Sequence, residues 1–263
     1  ALVDMHAKCG LLIESREVFD NLRVKDVVTW TALIGGYADH GYGIEALECF
    51  QLMQLARVFP NEVTYACCLK ACGAISATEK GKEIHDVIER KGFLKTCGLV
   101  SNTLIDMYGK CGYIEDAYVI FSGMPERNEC SWTAMIAAYA EQGYVKEAML
   151  LFERMQWEGM GVDKAAILCI LSACSNQLAL SHAKRAHTYV LETRFGKDPM
   201  VQNALVTMYS KCSSLYDARK VFDMFSMRNL VSWTAQIAAC AQHGQGDEAF
   251  SHFQHLLNEG HVL

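Results

Sequence analysis

Twelve cysteines carry the most latent chemistry in this 263-residue chain, as metal ligands, redox pairs or nucleophiles. None stands in a C-x-x-C pair, the spacing that grips zinc from a single turn. Cys68 and Cys72 are one helical turn apart, yet nothing nearby in the sequence completes a tetrahedral set. The cysteines recur at matching offsets instead, as in Cys9, Cys111 and Cys212, or Cys72 and Cys174. That pattern predicts small buried residues in a reducing compartment, with no metal or other cofactor. Catalytic strings are absent as well: there is no G-x-x-x-x-G-K-[ST], nucleophile elbow or H-E-x-x-H. Histidines and carboxylates are spread by a repeat rather than gathered by a catalytic spacing, so the segment is not expected to be an enzyme. What remains is hydrogen-bonding chemistry at helix starts. Asp26, Asn61, Asn128, Asp163, Asp198 and Asn229 each fall just before an expected helix, where Asp and Asn are ordinary N-caps worth ~1 kcal/mol.

The elements that place these residues repeat. "VTWTALIGGY" at 28–37 returns as "CSWTAMIAAY" at 130–139 and as "VSWTAQIAAC" at 231–240. Trp30, Trp132 and Trp233 are repeat-equivalent, as are Met5, Met107 and Met208, and Ala46, Ala148 and Ala249. The chain divides into units 1–26, 27–61, 62–97, 98–128, 129–163, 164–198, 199–229 and 230–263, the first and last of them partial. Each unit reads as two helices. In 129–163, Trp132, Met135, Ile136 and Tyr139 make an apolar stripe of helical period. Gly143 ends that helix, and Ala148, Leu151, Phe152 and Met155 line the next. The small pairs Gly35-Gly36, Ala137-Ala138 and Ala238-Ala239 would let neighbouring helices approach closely. A lone hairpin cannot bury both faces, so neighbours must stack. The expected fold is all-α: an α-solenoid, a right-handed superhelix of helix-turn-helix units with one concave surface.

Composition narrows the function. With 51% apolar residues the chain can build a core, and no apolar run approaches the ~20 residues that span a bilayer. A net charge of -6 argues against the cationic surface of a duplex-DNA binder and leaves room for a narrow site that reads bases. The chain starts inside a motif at Ala1, without an initiator methionine or signal peptide, and is expected to be a piece of something longer.

Two helical-hairpin families compete. Trp30, Leu33, Tyr37, Ala46 and Phe50 satisfy the tetratricopeptide pattern, although Ile34 stands where its glycine belongs. That family keeps a constant period, however, whereas these units cycle through three lengths. The cycle, with "VVTWTALIGGYADHG" at 27–41, "NTLIDMYGKCGYIEDA" at 102–117, "NALVTMYSKCSSLYDA" at 203–218 and "GKEIH" at 81–85, resembles the PLS class of plant pentatricopeptide repeat proteins. The resemblance covers the whole chain. It implies a reader of single-stranded RNA in mitochondria or chloroplasts, commonly serving C-to-U editing with editing cofactor proteins or a deaminase. The deaminase strings H-x-E and P-C-x-x-C do not occur here. The alternative is a tetratricopeptide-like scaffold for protein partners.

The resemblance also implies which residues read bases: the fifth and last of each unit. These are Asp26; Thr31 with Asn61; Asn102 with Asn128; Thr133 with Asp163; Asn203 with Asn229; and Thr234. An ionised Asp only accepts hydrogen bonds and favours guanine or uracil, whereas an Asn amide can donate to the bare ring nitrogen of adenine or cytosine. With threonine taken for purines and asparagine for pyrimidines, as in the family, the order is U, A, unassigned, C or U, G, unassigned, C or U, purine. The unassigned units are 62–97, with Ala66 and Cys97, and 164–198, with Leu168 and Asp198; Ala66 and Leu168 have no polar side chain. Val28, Leu99, Cys130, Met200 and Val231, the second residues, would flank the bases. Lys8, Lys110 and Lys211 share the thirteenth place of the short units, where they could touch phosphate or simply favour a helix end. His85 and His187 are expected to be packing or surface residues.

Overall fold

A computed structural model describes residues 1–225 and 228–258; the last five residues of the 230–263 unit lie outside these. Every regular element among the described residues is helical. In chain order they are α1 (Leu2–Lys8), α2 (Leu12–Asp20), α3 (Val27–Asp39), α4 (Gly43–Leu55), α5 (Glu62–Ala74), α6 (Thr78–Arg90), α7 (Phe93–Thr96), α8 (Gly98–Lys110) and α9 (Ile114–Gly123). There follow α10 (Glu129–Glu141), α11 (Val145–Trp157), α12 (Lys164–Asn176), α13 (Leu180–Glu192), a 3-10 turn (Arg194–Lys197), α14 (Pro199–Lys211), α15 (Leu215–Asp223), α16 (Leu230–Gln242) and α17 (Gly246–Asn258). The chain forms two compact units, Ala1–Ala138 and Tyr139–Leu263, the division falling inside α10.

In the first unit the opening helices of successive hairpins pack in a row, α1 on α3, α3 on α5 and α5 on α8, while α4 and α6 fold back beside them. The second unit repeats the scheme with α12 on α14 and α14 on α16. Helix-turn-helix pairs stacked side by side in this way make an all-α fold of solenoid type.

The lengths of the second helices set the short units apart. α4, α6, α11 and α13 have 13 residues each, whereas α2 and α15 have 9 and α9 has 10. The short units have lost about one turn of their second helix. Residues 62–97 and 164–198 each gain a further short turn, α7 in one and the 3-10 turn in the other.

The recurring tryptophan is the joint between hairpins. Phe19 meets Trp30 edge-on with ring centroids 4.6 Å apart. Phe121 meets Trp132 at 4.9 Å, and Phe222 meets Trp233 at 5.0 Å. All six rings are buried. Each pair fastens the shortened second helix of one hairpin to the first helix of the next, in the geometry that ring quadrupoles favour. A second joint recurs where α6 meets α8 and α13 meets α14. His85 Nδ1 lies 2.8 Å from the Tyr108 hydroxyl, and His187 Nδ1 lies 2.9 Å from that of Tyr209. Both histidines are therefore packing residues, with burial lowering the pKa of each.

Close approach is enforced where small residues were expected. A Cβ placed on Gly36 would fall 2.5 Å from the Ala7 Cβ, and the Ala138 Cβ comes equally close to where one on Gly109 would stand. Gly143 follows α10 with a φ of +81°, the left-handed conformation that ends a helix without strain. The cysteines correct a uniform expectation of burial. Cys72, Cys174 and Cys212 are buried, but Cys9 is exposed and Cys111 half-exposed. All three of the repeat-equivalent set Cys9, Cys111 and Cys212 sit just past a helix end. Cys212 alone turns inward there, placing its thiol 3.5 Å from the Cys174 carbonyl. No described group of three His, Cys, Asp or Glu could hold a metal ion, and no described helix is long and apolar enough to cross a membrane.

Candidate nucleic-acid interface

Six Asp or Asn side chains cap the opening helices. Asp26 Oδ1 accepts the Thr29 N–H at 2.9 Å, and Asn61 Oδ1 accepts the Thr64 N–H at 2.9 Å. Asn128 accepts from Ser131 N–H at 3.0 Å, Asp163 from Ala166 N–H at 2.7 Å, and Asn229 from Ser232 N–H at 2.9 Å. Asp198 accepts from Met200 and Val201 and is paired with Lys164. The Thr29 backbone N–H, followed by its hydroxyl, holds the Asp26 carboxyl below its ordinary range, so it is ionised near neutrality.

Capping also fixes what each side chain has left to offer. A backbone N–H can only donate, so it is the carbonyl of each Asn that faces the helix, which settles the orientation of the amide. Asn61, Asn128 and Asn229 therefore keep their NH2 groups as donors. Asp26 keeps a second carboxylate oxygen as an acceptor.

One concavity gathers a complete set of the residues singled out by the repeat. A cleft of about 590 Å³ in the first unit is lined by Val28, Thr31, Asn61 and Lys8, together with Val63 and Cys67. These side chains come from α1, α3, α5 and the N-cap of α5, the helices being those that pack in a row. Val28 and Val63 are exposed, although both are apolar and sit in the first turn of a helix. The other second residues share that character: Leu99, Met200 and Val231 are 51–61% exposed, and Cys130 is exposed too. An apolar side chain repeatedly held out in the first helical turn can cover the flat face of a ring.

The remaining positions are placed differently. Asn128 lines a separate hollow of about 440 Å³ with Lys95 and Arg127. Asn102 and Asn203 are half-buried, each with an Oδ1 that has no hydrogen-bond partner among the described residues. Thr133 is half-buried; Thr234 is exposed and donates to the Leu230 carbonyl at 2.7 Å. Ala66 is buried and Leu168 half-buried. Of the lysines, Lys8 pairs with Asp4 at 2.9 Å and Lys110 with Asp106 at 2.7 Å, while Lys211 is exposed.

Two cleft-related residues escape sequence reasoning. Val63 is the second residue of a unit whose fifth residue is apolar, so nothing marked it. Thr64 is wholly buried, and its hydroxyl lies 2.7 Å from that of Thr31 and 2.8 Å from Asn61 Oδ1. The one hint was a hydroxyl residue three places after an Asn, the pattern of a capping box.

The PPR repeat family matches residues 25–74, and the PPR repeat matches 100–129, 130–160 and 231–261. The chain belongs to the pentatricopeptide repeat family. It is 35% identical over 260 residues to a pentatricopeptide repeat-containing protein of Arabidopsis thaliana, covering 99% of this chain and 36% of that protein. A second from the same plant, named chloroplastic, is 35% identical, with 99% and 42% covered. A third, named putative and mitochondrial, is 37% identical, with 99% and 41% covered. The pentatricopeptide repeat chain thus spans about two fifths of these relatives. Among solved structures it is similar to pentatricopeptide repeat protein PPR10 in complex with an 18-nt psaJ RNA element, with a TM-score of 0.77. Sequence identity there is 18%, over 98% of this chain and 39% of that one, which is a likeness of fold.

Proposed function

We propose that this pentatricopeptide repeat chain binds single-stranded RNA over the opening turns of its first helices. It has no catalytic role of its own in this reading. The observation that carries it is the cleft in which Thr31 and Asn61 stand beside two exposed valines. A base inserted there would lie against Val28 and Val63, with its Watson–Crick edge toward the two polar side chains, the combination of stacking and edge reading used on unpaired RNA. The other pairs, Asn102 with Asn128, Thr133 with Asp163 and Asn203 with Asn229, take the same roles, with Asp26 and Thr234 contributing from the partial units. Leu99, Cys130, Met200 and Val231 flank the remaining bases, and Lys8, Lys110 and Lys211 offer charge to phosphates.

The order read is U, A, unassigned, C or U, G, unassigned, C or U, purine. The three unit lengths fit the PLS class, and with it the choosing of sites for C-to-U editing by a tethered or recruited deaminase and editing cofactor proteins. Relatives named chloroplastic and mitochondrial support an organellar setting.

Selection from a random RNA pool tests this. Enrichment of single-stranded sequences with guanine at the 129–163 register is expected, shifting toward adenine in Asp163→Asn. The discrimination involved is ~1–3 kcal/mol, the worth of a good base contact. An unchanged base would refute the pairing, and no enrichment at any salt concentration would return the surface to a protein-binding scaffold.

A further inference from the structure

Thr64 touches neither solvent nor the cleft, yet it joins the two side chains that face each other there. Its Oγ1 lies 2.8 Å from Asn61 Oδ1, 2.7 Å from Thr31 Oγ1 and 3.3 Å from the Asn61 backbone nitrogen. We propose that the buried Thr64 hydroxyl is a positioning residue that sets the hydrogen-bond polarity of the Thr31–Asn61 site. In that role it makes the site select bases with an exocyclic amine beside a bare ring nitrogen. The proposal rests on the base-reading function above and deepens it.

Counting protons gives the polarity. Asn61 Oδ1 already accepts the Thr64 N–H at 2.9 Å, so the amide cannot be reversed. The single proton of the Thr64 hydroxyl goes to that same oxygen, filling its second lone pair. Thr64 Oγ1 must then accept from its remaining neighbours, the Asn61 backbone N–H and the Thr31 hydroxyl. Thr31 has spent its only proton and turns bare lone pairs to the cleft. Asn61 has spent its carbonyl and turns only N–H groups to it. The site is therefore one acceptor, Thr31 Oγ1, and one donor, Asn61 Nδ2.

Adenine and cytosine carry the complement, a donating amine next to an accepting ring nitrogen. Guanine and uracil carry the reverse, and would set acceptor against acceptor and N–H against N–H. A buried group left unpaired in this way costs far more than one never formed.

What sets this junction apart is the bridge from the cap hydroxyl to Thr31 of the preceding hairpin; the contact with the cap oxygen is shared by Thr29, whose hydroxyl lies 2.9 Å from Asp26 Oδ1. Ser131 and Ser232 hold the same helical place after Asn128 and Asn229, but they donate to the backbone carbonyls of those residues, each at 2.8 Å. After Asp163 the place is held by Ala166, which has no hydroxyl.

The test uses the full chain and an oligonucleotide taken from the random-pool selection, synthesised with adenine, guanine or purine (adenine lacking its amine) at the 27–61 register. Wild type should prefer adenine to purine by about fivefold, the worth of one hydrogen bond. Thr64→Val, which leaves the Thr31 hydroxyl free to turn either its proton or its lone pairs to the cleft, should lower that ratio and reduce the adenine-to-guanine ratio by about fivefold, while Thr64→Ser restores both. Thr31→Val, which alters a side chain on the cleft rather than a buried one, should abolish the adenine-to-purine difference. Unchanged ratios in Thr64→Val, with Asn61→Asp still moving the preference to guanine, would overturn the role of Thr64 and leave base reading intact. Failure of Asn61→Asp to move the base would overturn both.

Discussion

At the scale of single residues, capping and the proposed base reading would share one hydrogen-bond inventory. The helix takes one oxygen of Asp26 or Asn61, and whatever chemistry remains faces outward. Capping was legible in the sequence, because Asp or Asn before an apolar helix has a local cause. The Thr31–Thr64 contact was not, because it joins residues 33 positions apart. The lysines make a prediction at this scale. Lys8 is held by Asp4 in an exposed pair, which a phosphate would have to displace. Since such pairs are worth about 0.2–1 kcal/mol, Asp4→Asn should raise RNA affinity by up to about fivefold at low salt. Filter binding would show this, and unchanged or weaker affinity would remove Lys8 from the phosphate contacts.

Histidine burial adds a pH dependence. Desolvation lowers the pKa of His85 below its ordinary value, against the opposing pull of Glu89, Asp86 and Asp116, and it lowers that of His187 likewise. The unfolded chain therefore binds these protons more readily than the folded one. Stability is full above the unfolded value near 6.5 and falls as pH drops from there toward the folded pKa values. Tm should be lower at pH 5.5 than at pH 7.5, and the difference should shrink in a His85→Gln, His187→Gln variant. An equal difference in that variant would place the proton uptake elsewhere.

At the scale of elements, the ring pairs carry the stacking. Trp132 is wholly buried against Phe121, so Trp132→Ala should cost about 3–5 kcal/mol in urea denaturation. A loss below about 1 kcal/mol would show that the hairpins are held mainly by other contacts. The helical periods and repeat intervals exposed these elements well, because each hairpin presents the same stripe to the same neighbour. Turn conformation was less legible. Gly112 and Ser213 occupy equivalent turns with φ of +81° and +60°, a conformation that disfavours any residue bearing a Cβ. Ser213→Gly should stabilise the chain by ~0.5–1 kcal/mol, the left-handed cost of ~1–2 kcal/mol less the added freedom of the unfolded glycine.

At the scale of the molecule, a chain with net charge -6 cannot hold RNA by a broad cationic field. Recognition through base edges and exposed apolar side chains is consistent with that charge, and a shallow dependence of affinity on salt is expected. Fold class could be read from the repeat before any coordinates, since stacking is the one way these hairpins bury their second face. The cleft could not, because it needs side chains from three helices to meet.

Ultraviolet crosslinking of the full chain to single-stranded RNA, with the modified peptides mapped by mass spectrometry, tests the proposed RNA-facing surface most directly. Crosslinks should fall in the first turns that carry Val28, Leu99, Cys130, Met200 and Val231. Crosslinks concentrated instead on second helices, around Ile44, Leu150 or Tyr216, would place RNA on the opposite side of the hairpins and contradict the reading face.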